Sequence, residues 1–233
     1  MNNLDLILFD LDGTLCDTAP DVHDSVNLAL QRMGLPEVSL DQTLRAIGPG
    51  PGVFSRIILG EKNLHRYDEY REHFRPIYHD RCLTKTRLFD GIAELLEELR
   101  SRGIKTGMVT NKPLPGTRII LSGLDQFERF DTVVCADMVE NPKPAPDMIL
   151  KACEETGVTP ERTMVVGDTD NDIYSANAAG AFSCLAGWGY SHEMDRLAEL
   201  SDFRVGHPVQ VLEILNRAEL NKKVPVVSGK QDD

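Results

Sequence analysis

Near the start of the chain a four-residue apolar run, Leu6–Phe9, breaks off into Asp10-Leu11-Asp12-Gly13-Thr14. An apolar run this short, ended abruptly by acids and a glycine, predicts a buried strand followed by a sharp turn. In open α/β sheets ligands bind just beyond the carboxyl ends of the strands. Two carboxylates at such an end suit a cation-dependent reaction on an anion. An ordinary Asx-rich turn has the same local composition, so the later strand ends have to decide between the two.

Further β runs alternate with helical stretches. Ile104–Val109 ends in Thr110-Asn111-Lys112-Pro113, and Thr132–Ala136 leads through Asp137 to Pro142-Lys143-Pro144-Ala145-Pro146. Thr163–Val166 ends in Gly167-Asp168-Thr169-Asp170-Asn171-Asp172, Phe182–Ala186 is a fifth strand, and residues 205–215 give a last short strand and helix. Between them Leu95, Leu96 and Leu99 form a helical stripe that Asp90 is expected to cap and Gly103 to end. Such alternation predicts an α/β fold, a doubly wound parallel sheet with right-handed crossovers and helices on both faces. Asp10, Thr110, Lys143 and Asp168 would then converge along one edge. Trp188 and Tyr190 are expected to cover the core.

The stretch between the first two strands is too long for a simple crossover and carries only helical patterning. Val22, Val26, Ala29, Leu30 and Met33 form one helix, Ser39–Gln42 a capping box before a second, and Val53, Ile57 and Ile58 a third. Tyr67, Tyr70, Phe74 and Ile77 form a fourth, which Pro76 is expected to shorten. Residues 1–16 and 87–220 are therefore read as the core domain and 17–86 as an inserted helical cap, the arrangement of a lid. Residues 221–233 are polar, without periodicity, and expected to fray. Within the insert Gly48-Pro49-Gly50-Pro51-Gly52 is either a rigid turn or a loop whose N–H groups meet a ligand. Arg45 and Arg56 flank it and are candidate anion contacts. His65, His73 and His79 lack metal-sharing spacing and read as solvated surface.

The formal charge of −12 argues against non-specific nucleic-acid or membrane-surface binding. Five dispersed cysteines without a CxxC pair argue against a disulfide framework or zinc site and for a reducing cytoplasm. There is no signal-peptide layout and no apolar run long enough to span a bilayer.

In this order FDLDGTL, VTNK, NPKPAP and VVGDTDND resemble the four motifs of the haloacid-dehalogenase-like phosphohydrolases. The insert is similar to that superfamily's first class of cap. DTAPDVHDSVNLAL, IGPGPG and VTNKP look most like its phosphoglycolate phosphatases. Asp90-Gly91, where relatives often carry Pro-Gly, and the extra acid Asp170 depart from the pattern. The resemblance implies that Asp10 is a nucleophile forming an aspartyl-phosphate, and Asp12 the acid and then base. Thr110 and Asn111, with Gly13 and Thr14, would bind the phosphoryl group. Lys143, the one cation the motifs supply, would neutralise charge. Arg45, Gly48, Gly50 and Arg56 would meet the rest of a small phosphorylated substrate.

Crowded carboxylates also call for a hard divalent ion. Two like charges about 4 Å apart repel by roughly 4 kcal/mol at an effective dielectric of 20, and Mg²⁺ suits oxygen ligands plus phosphate. By resemblance Asp10, Asp12 (through its carbonyl), Asp168 and Asp172 form that site. The leading expectation is a Mg²⁺-dependent 2-phosphoglycolate phosphatase, monomer or homodimer. Alternatives are a phosphatase of pyrophosphate or a sugar phosphate, a phosphomutase, and, less favoured, a non-catalytic phosphate sensor.

Overall fold

A computed structural model describes residues 4–216. The expected fraying of 221–233 lies outside the described residues. In chain order the elements are β1 Leu6–Phe9, β2 Cys16–Asp17, α1 Ala19–Arg32, α2 Leu40–Ala46, α3 Pro51–Asn63, α4 Tyr67–Arg81 and β3 Arg87–Leu88. There follow α5 Ile92–Ser101, β4 Lys105–Thr110, α6 Leu114–Gly123, β5 Thr132–Cys135, α7 Asp147–Thr156 and β6 Thr163–Gly167. The last are α8 Asp170–Ala179, β7 Phe182–Ala186, α9 Met194–Leu200, β8 Phe203–Val205 and α10 Val211–Leu215.

Six strands form one parallel sheet in the order β5-β4-β1-β6-β7-β8. Alternation along β1 divides its side chains between two layers. Ile7 and Phe9 join Leu95, Leu99, Ile120, Leu121, Val211 and Ile214, so α5, α6 and α10 cover that face. Leu6 and Leu8 join Met148, Ile149, Ala152 and Ala176 from α7 and α8 on the other. This is the doubly wound α/β fold expected, with β1 central. Register then levels the carboxyl ends: Phe9 pairs with Met108 on one side and Val166 on the other.

Four helices are inserted between β2 and β3. These two short strands pair antiparallel where the chain leaves and re-enters the core. Sequence patterning missed them because a two-residue strand has no period. Asp21 secures this junction: its buried carboxylate accepts the backbone N–H groups of Lys85 (3.0 and 2.9 Å) and Thr86 (2.8 Å).

Three local expectations are corrected. α4 runs through Pro76 to Arg81. Proline costs the helix one donor, but Pro76 is on the exposed side while Tyr70, Ile77 and Tyr78 are buried, and tertiary packing overrides propensity. The cap of α5 is Gly91, not Asp90; it is left-handed at φ 86°, and a Cβ there would sit 2.5 Å from the His207 ring. His79 lines a cavity rather than open surface.

Replacing Asp21 by Ala leaves buried N–H groups without an acceptor and is expected to cost about 2–3 kcal/mol. Asp21→Asn, which keeps one oxygen, should cost less. Urea unfolding measures both; an unchanged midpoint for the alanine variant would show that the junction does not depend on this carboxylate.

Candidate active site

The turn after β1 begins when the Asp10 N–H donates to Val166 O at 3.0 Å, which holds Asp10 against β6. Gly13 then takes φ 86°, and a Cβ there would lie 2.6 Å from Asp168 Oδ2 and 2.8 Å from the Tyr190 ring. Only glycine lets this turn approach the end of β6 so closely. Asp10, Asp168 and Asp172 thereby offer oxygens that all lie within 4.8 Å of one another, and all three residues are buried.

Lys143 reaches across from the proline-rich segment. Its ammonium donates to Asp10 Oδ1 (2.9 Å), Asp172 Oδ1 (2.5 Å) and Val109 O (2.7 Å). Burial alone would lower the Lys143 pKa, but the charges of Asp10 and Asp172 outweigh it and raise it above the ordinary lysine value. A second lysine, which the motif reading did not count, faces Asp12. Lys112 Nζ donates to both oxygens of Asp12 at 2.9 Å and lies 4.8 Å from the Tyr78 ring centroid. Thr18 Oγ1 donates to Asp12 Oδ1 at 2.5 Å.

The remaining oxygens are held by neutral donors. Thr14 Oγ1 donates to Asp168 Oδ1 (3.0 Å) and the Tyr190 N–H to Asp168 Oδ2 (2.7 Å). Thr169 donates to Asp172 Oδ2 through its N–H (3.0 Å) and its hydroxyl (2.7 Å). Among the described residues, Asp10 alone of the four aspartates keeps an oxygen, Oδ2, that no donor holds. Burial, together with Asp172 and Asp10, pushes the Asp168 carboxyl up to about 8. Burial likewise raises Asp10; Lys143 works against it and Asp172 and Asp12 with it.

Beside Asp10 and Asp12 opens a cavity of about 170 Å³ between core and insert. Its core wall includes Thr110, Asn111 and Lys112; Gly48, Gly50 and Phe54 enclose it from the insert, with Phe74 and Tyr78 of α4. Arg71, Arg75 and His79 of α4 also line it. Neither arginine has a carboxylate partner among the described residues. The His79 pKa is lowered by burial, then by Arg75 and Lys112.

Several expected contacts lie elsewhere. Arg45 is paired with Asp41 at 3.0 Å and faces a separate depression beside Asp170 and His192. Arg56 is exposed, 3.6 Å from Glu61, and does not line the cavity. Thr14 is fully buried and committed to Asp168. Asn111 Nδ2 spends its donors on Gly48 O and Lys143 O, both at 2.9 Å, which bridges insert and core. The Thr110 hydroxyl accepts the Lys112 N–H at 3.2 Å and retains its own proton for a ligand. Arg71, Arg75 and His79 recur every four residues, a usable signal. Amid so many charges, that period marks a solvated face equally well.

A doubly wound sheet with an acidic, lysine-braced edge closed over by inserted helices is the frame of a capped hydrolase. The profile of the haloacid dehalogenase-like hydrolase family matches residues 7–186, and the chain belongs to that family. It is 34% identical over 217 residues to an N-acetylmuramic acid 6-phosphate phosphatase of Pseudomonas aeruginosa, covering 92% of this chain and 96% of that one. It is also 34% identical over 211 residues to a phosphoglycolate phosphatase of Aquifex aeolicus, covering 91% and 96%. The crystal structure of a predicted phosphoglycolate phosphatase from Haemophilus somnus superposes with a TM-score of 0.85 at 28% identity, over 92% of this chain and 99% of that one. Within its family the chain is a phosphatase.

The raised carboxyls set a pH dependence. Asp168 and Asp10 hold protons in the folded state that the unfolded chain, with carboxylates near 3.9, would release. Their contribution to metal-free stability should therefore be fully present below about pH 4 and be lost as pH rises from about 4 to about 8. An added divalent cation should restore it, increasingly so toward the alkaline end. Thermal unfolding with and without the cation reads both; a metal-free midpoint that rises over this range would contradict the buried acidic cluster.

Proposed function

We propose that this phosphatase hydrolyses a small organic phosphate monoester through Asp10, with Mg²⁺ as its metal. The carrying observation is the uncommitted Oδ2 of Asp10, which leaves this carboxylate, among the four, free to attack phosphorus. Asp12, whose carboxylate borders the same cavity, protonates the departing alkoxide and then takes the proton of the water that cleaves the aspartyl-phosphate. Lys143 holds Asp10 in place and offsets the charge gathered there. The Thr110 hydroxyl donates to a phosphoryl oxygen. Lys112, which lines the same cavity, adds a second lysine charge beside the entering dianion.

The donor set fits a hard ion: Asp10, Asp168 and Asp172 present carboxylate oxygens only, and burial beside neighbouring acids raises the protonation of Asp10 and Asp168. These three, with the Asp12 carbonyl, would hold the Mg²⁺, which supplies Lewis-acid stabilisation of the phosphoryl oxygens. Residues 17–86 act as the cap. Five free, buried cysteines support a cytoplasmic setting.

The substrate reading is 2-phosphoglycolate. Arg71 and Arg75, uncommitted to any acid among the described residues of a chain with 37 acidic against 25 basic residues, suit a carboxylate at the end away from the phosphate. A second reading, N-acetylmuramic acid 6-phosphate, shares that carboxylate and is favoured by the Pseudomonas relative. The cavity of about 170 Å³ favours the smaller ester.

Asp10→Asn should abolish phosphate release from every ester tested; residual turnover at the parent's rate would remove Asp10 as nucleophile. Arg75→Ala should raise KM about tenfold for a carboxylate-bearing ester and leave an uncharged one little changed. Steady-state kinetics on 2-phosphoglycolate, N-acetylmuramic acid 6-phosphate and a neutral alkyl phosphate make the comparison, and equal losses on all three would exclude carboxylate recognition.

A further inference from the structure

Tyr190, expected to be mere core cover, makes a set of contacts that the chemistry above does not use. Its N–H donates to Asp168 Oδ2 at 2.7 Å. Its hydroxyl donates to Asp17 Oδ1 at 2.7 Å and accepts the N–H groups of Thr18 (2.8 Å) and Ala19 (3.1 Å). One phenol has one proton and two lone pairs, so every valence is spent on the segment by which the chain enters the insert. The ring tilts against Phe89, 6.3 Å between centroids, just past β3 where the chain returns. A single residue thus touches both connections of the insert and one carboxylate of the acidic cluster. The hinge is also tied to the chemistry on its other side, since Thr18 donates its hydroxyl to Asp12.

We propose that Tyr190 is a positioning residue that couples the seat of the cap to the orientation of Asp168. A hinge motion that moves Thr18 and Ala19 pulls on the hydroxyl, and the same residue's amide carries the displacement to Asp168. By linkage the reverse also holds: whatever binds Asp168 biases the hinge. This rests on the metal-dependent reading of the acidic cluster and adds to it a route from that cluster to the cap.

The test is amide hydrogen exchange in peptides spanning residues 17–19 and 87–89, with and without Mg²⁺, alongside calorimetric Mg²⁺ binding. In the parent protein Mg²⁺ should slow exchange at these connections by about fivefold or more. Tyr190→Phe keeps the ring and the amide but loses the hydroxyl; it should bind Mg²⁺ and lose that response. Asp17→Ala breaks the same contact from the hinge side and should behave alike, with no further loss in the double variant. Trp188, the chain's one tryptophan, donates its indole N–H to Thr14 O at 3.0 Å and gives an independent fluorescence report of Mg²⁺ binding. Equal protection in the parent and either variant overturns the coupling, as does a parent that hydrolyses phosphate esters with connections indifferent to Mg²⁺. A parent that neither binds Mg²⁺ nor releases phosphate defeats the functional reading itself, and the coupling with it.

Discussion

Mutual repulsion among buried carboxylates is the constraint around which this molecule is arranged. Asp10, Asp12, Asp168 and Asp172 gather at one sheet edge, each nine-tenths or more buried, where like charges several ångströms apart are costly. Two lysines answer part of it. Lys143 lies between Asp10 and Asp172, and Lys112 grips Asp12 from the opposite side. Neutral donors from Thr14, Thr18, Thr169 and Tyr190 take up most of the remaining oxygens. The arrangement still leaves two negative charges in excess when all four acids are ionised; burial first, and then the neighbouring acids, make Asp168 and Asp10 retain protons readily. An excess of that size is what one divalent cation would neutralise.

The parallel sheet and the inserted helices were legible because their signals are long and periodic. Apolar runs ending in Thr110 and Gly167 mark strands, and stripes such as Leu95, Leu96 and Leu99 mark helices. Convergence of Asp10, Lys143 and Asp168 on one edge follows from parallel topology alone, since every strand's carboxyl end lies on the same side. What stayed hidden depends on how the insert docks. Arg45 and Arg56, close in sequence to the glycine-rich loop, face away from the cavity, while Arg71 and Arg75 on α4 face it. No local pattern distinguishes the two pairs, because which helix face meets the core is decided by packing of Tyr70, Phe74 and Tyr78. Lys112 was hidden for another reason: one lysine after a strand carries no sign that it will find Asp12, a hundred residues earlier.

Small polar groups tie the two parts of the molecule together. Asn111 looked like a phosphate donor from its place after β4, yet both of its amide protons serve carbonyls, one on each side of the cavity. Its contribution is to hold Gly48 over the sheet edge while fixing the backbone at Lys143. An alanine there would loosen the insert and the lysine together, an effect on rate that needs no contact with substrate. Thr14 is similar, since its hydroxyl orients Asp168 from within the turn after β1.

These ties bear on how a site half made of an insert can be accurate. Asp12 is held by Thr18 at the hinge and by Lys112, which itself lies against Tyr78 of the insert. Asp12 therefore has one partner at the connection to the insert and another that packs against α4. With the insert seated as it is, Asp12 keeps both partners and Asn111 bridges to Gly48, so enclosure of the cavity and alignment of Asp12 rest on the same few contacts. The arginines on α4 reach the cavity that Asp10 lines because Phe74 and Tyr78 of the same helix form part of its wall.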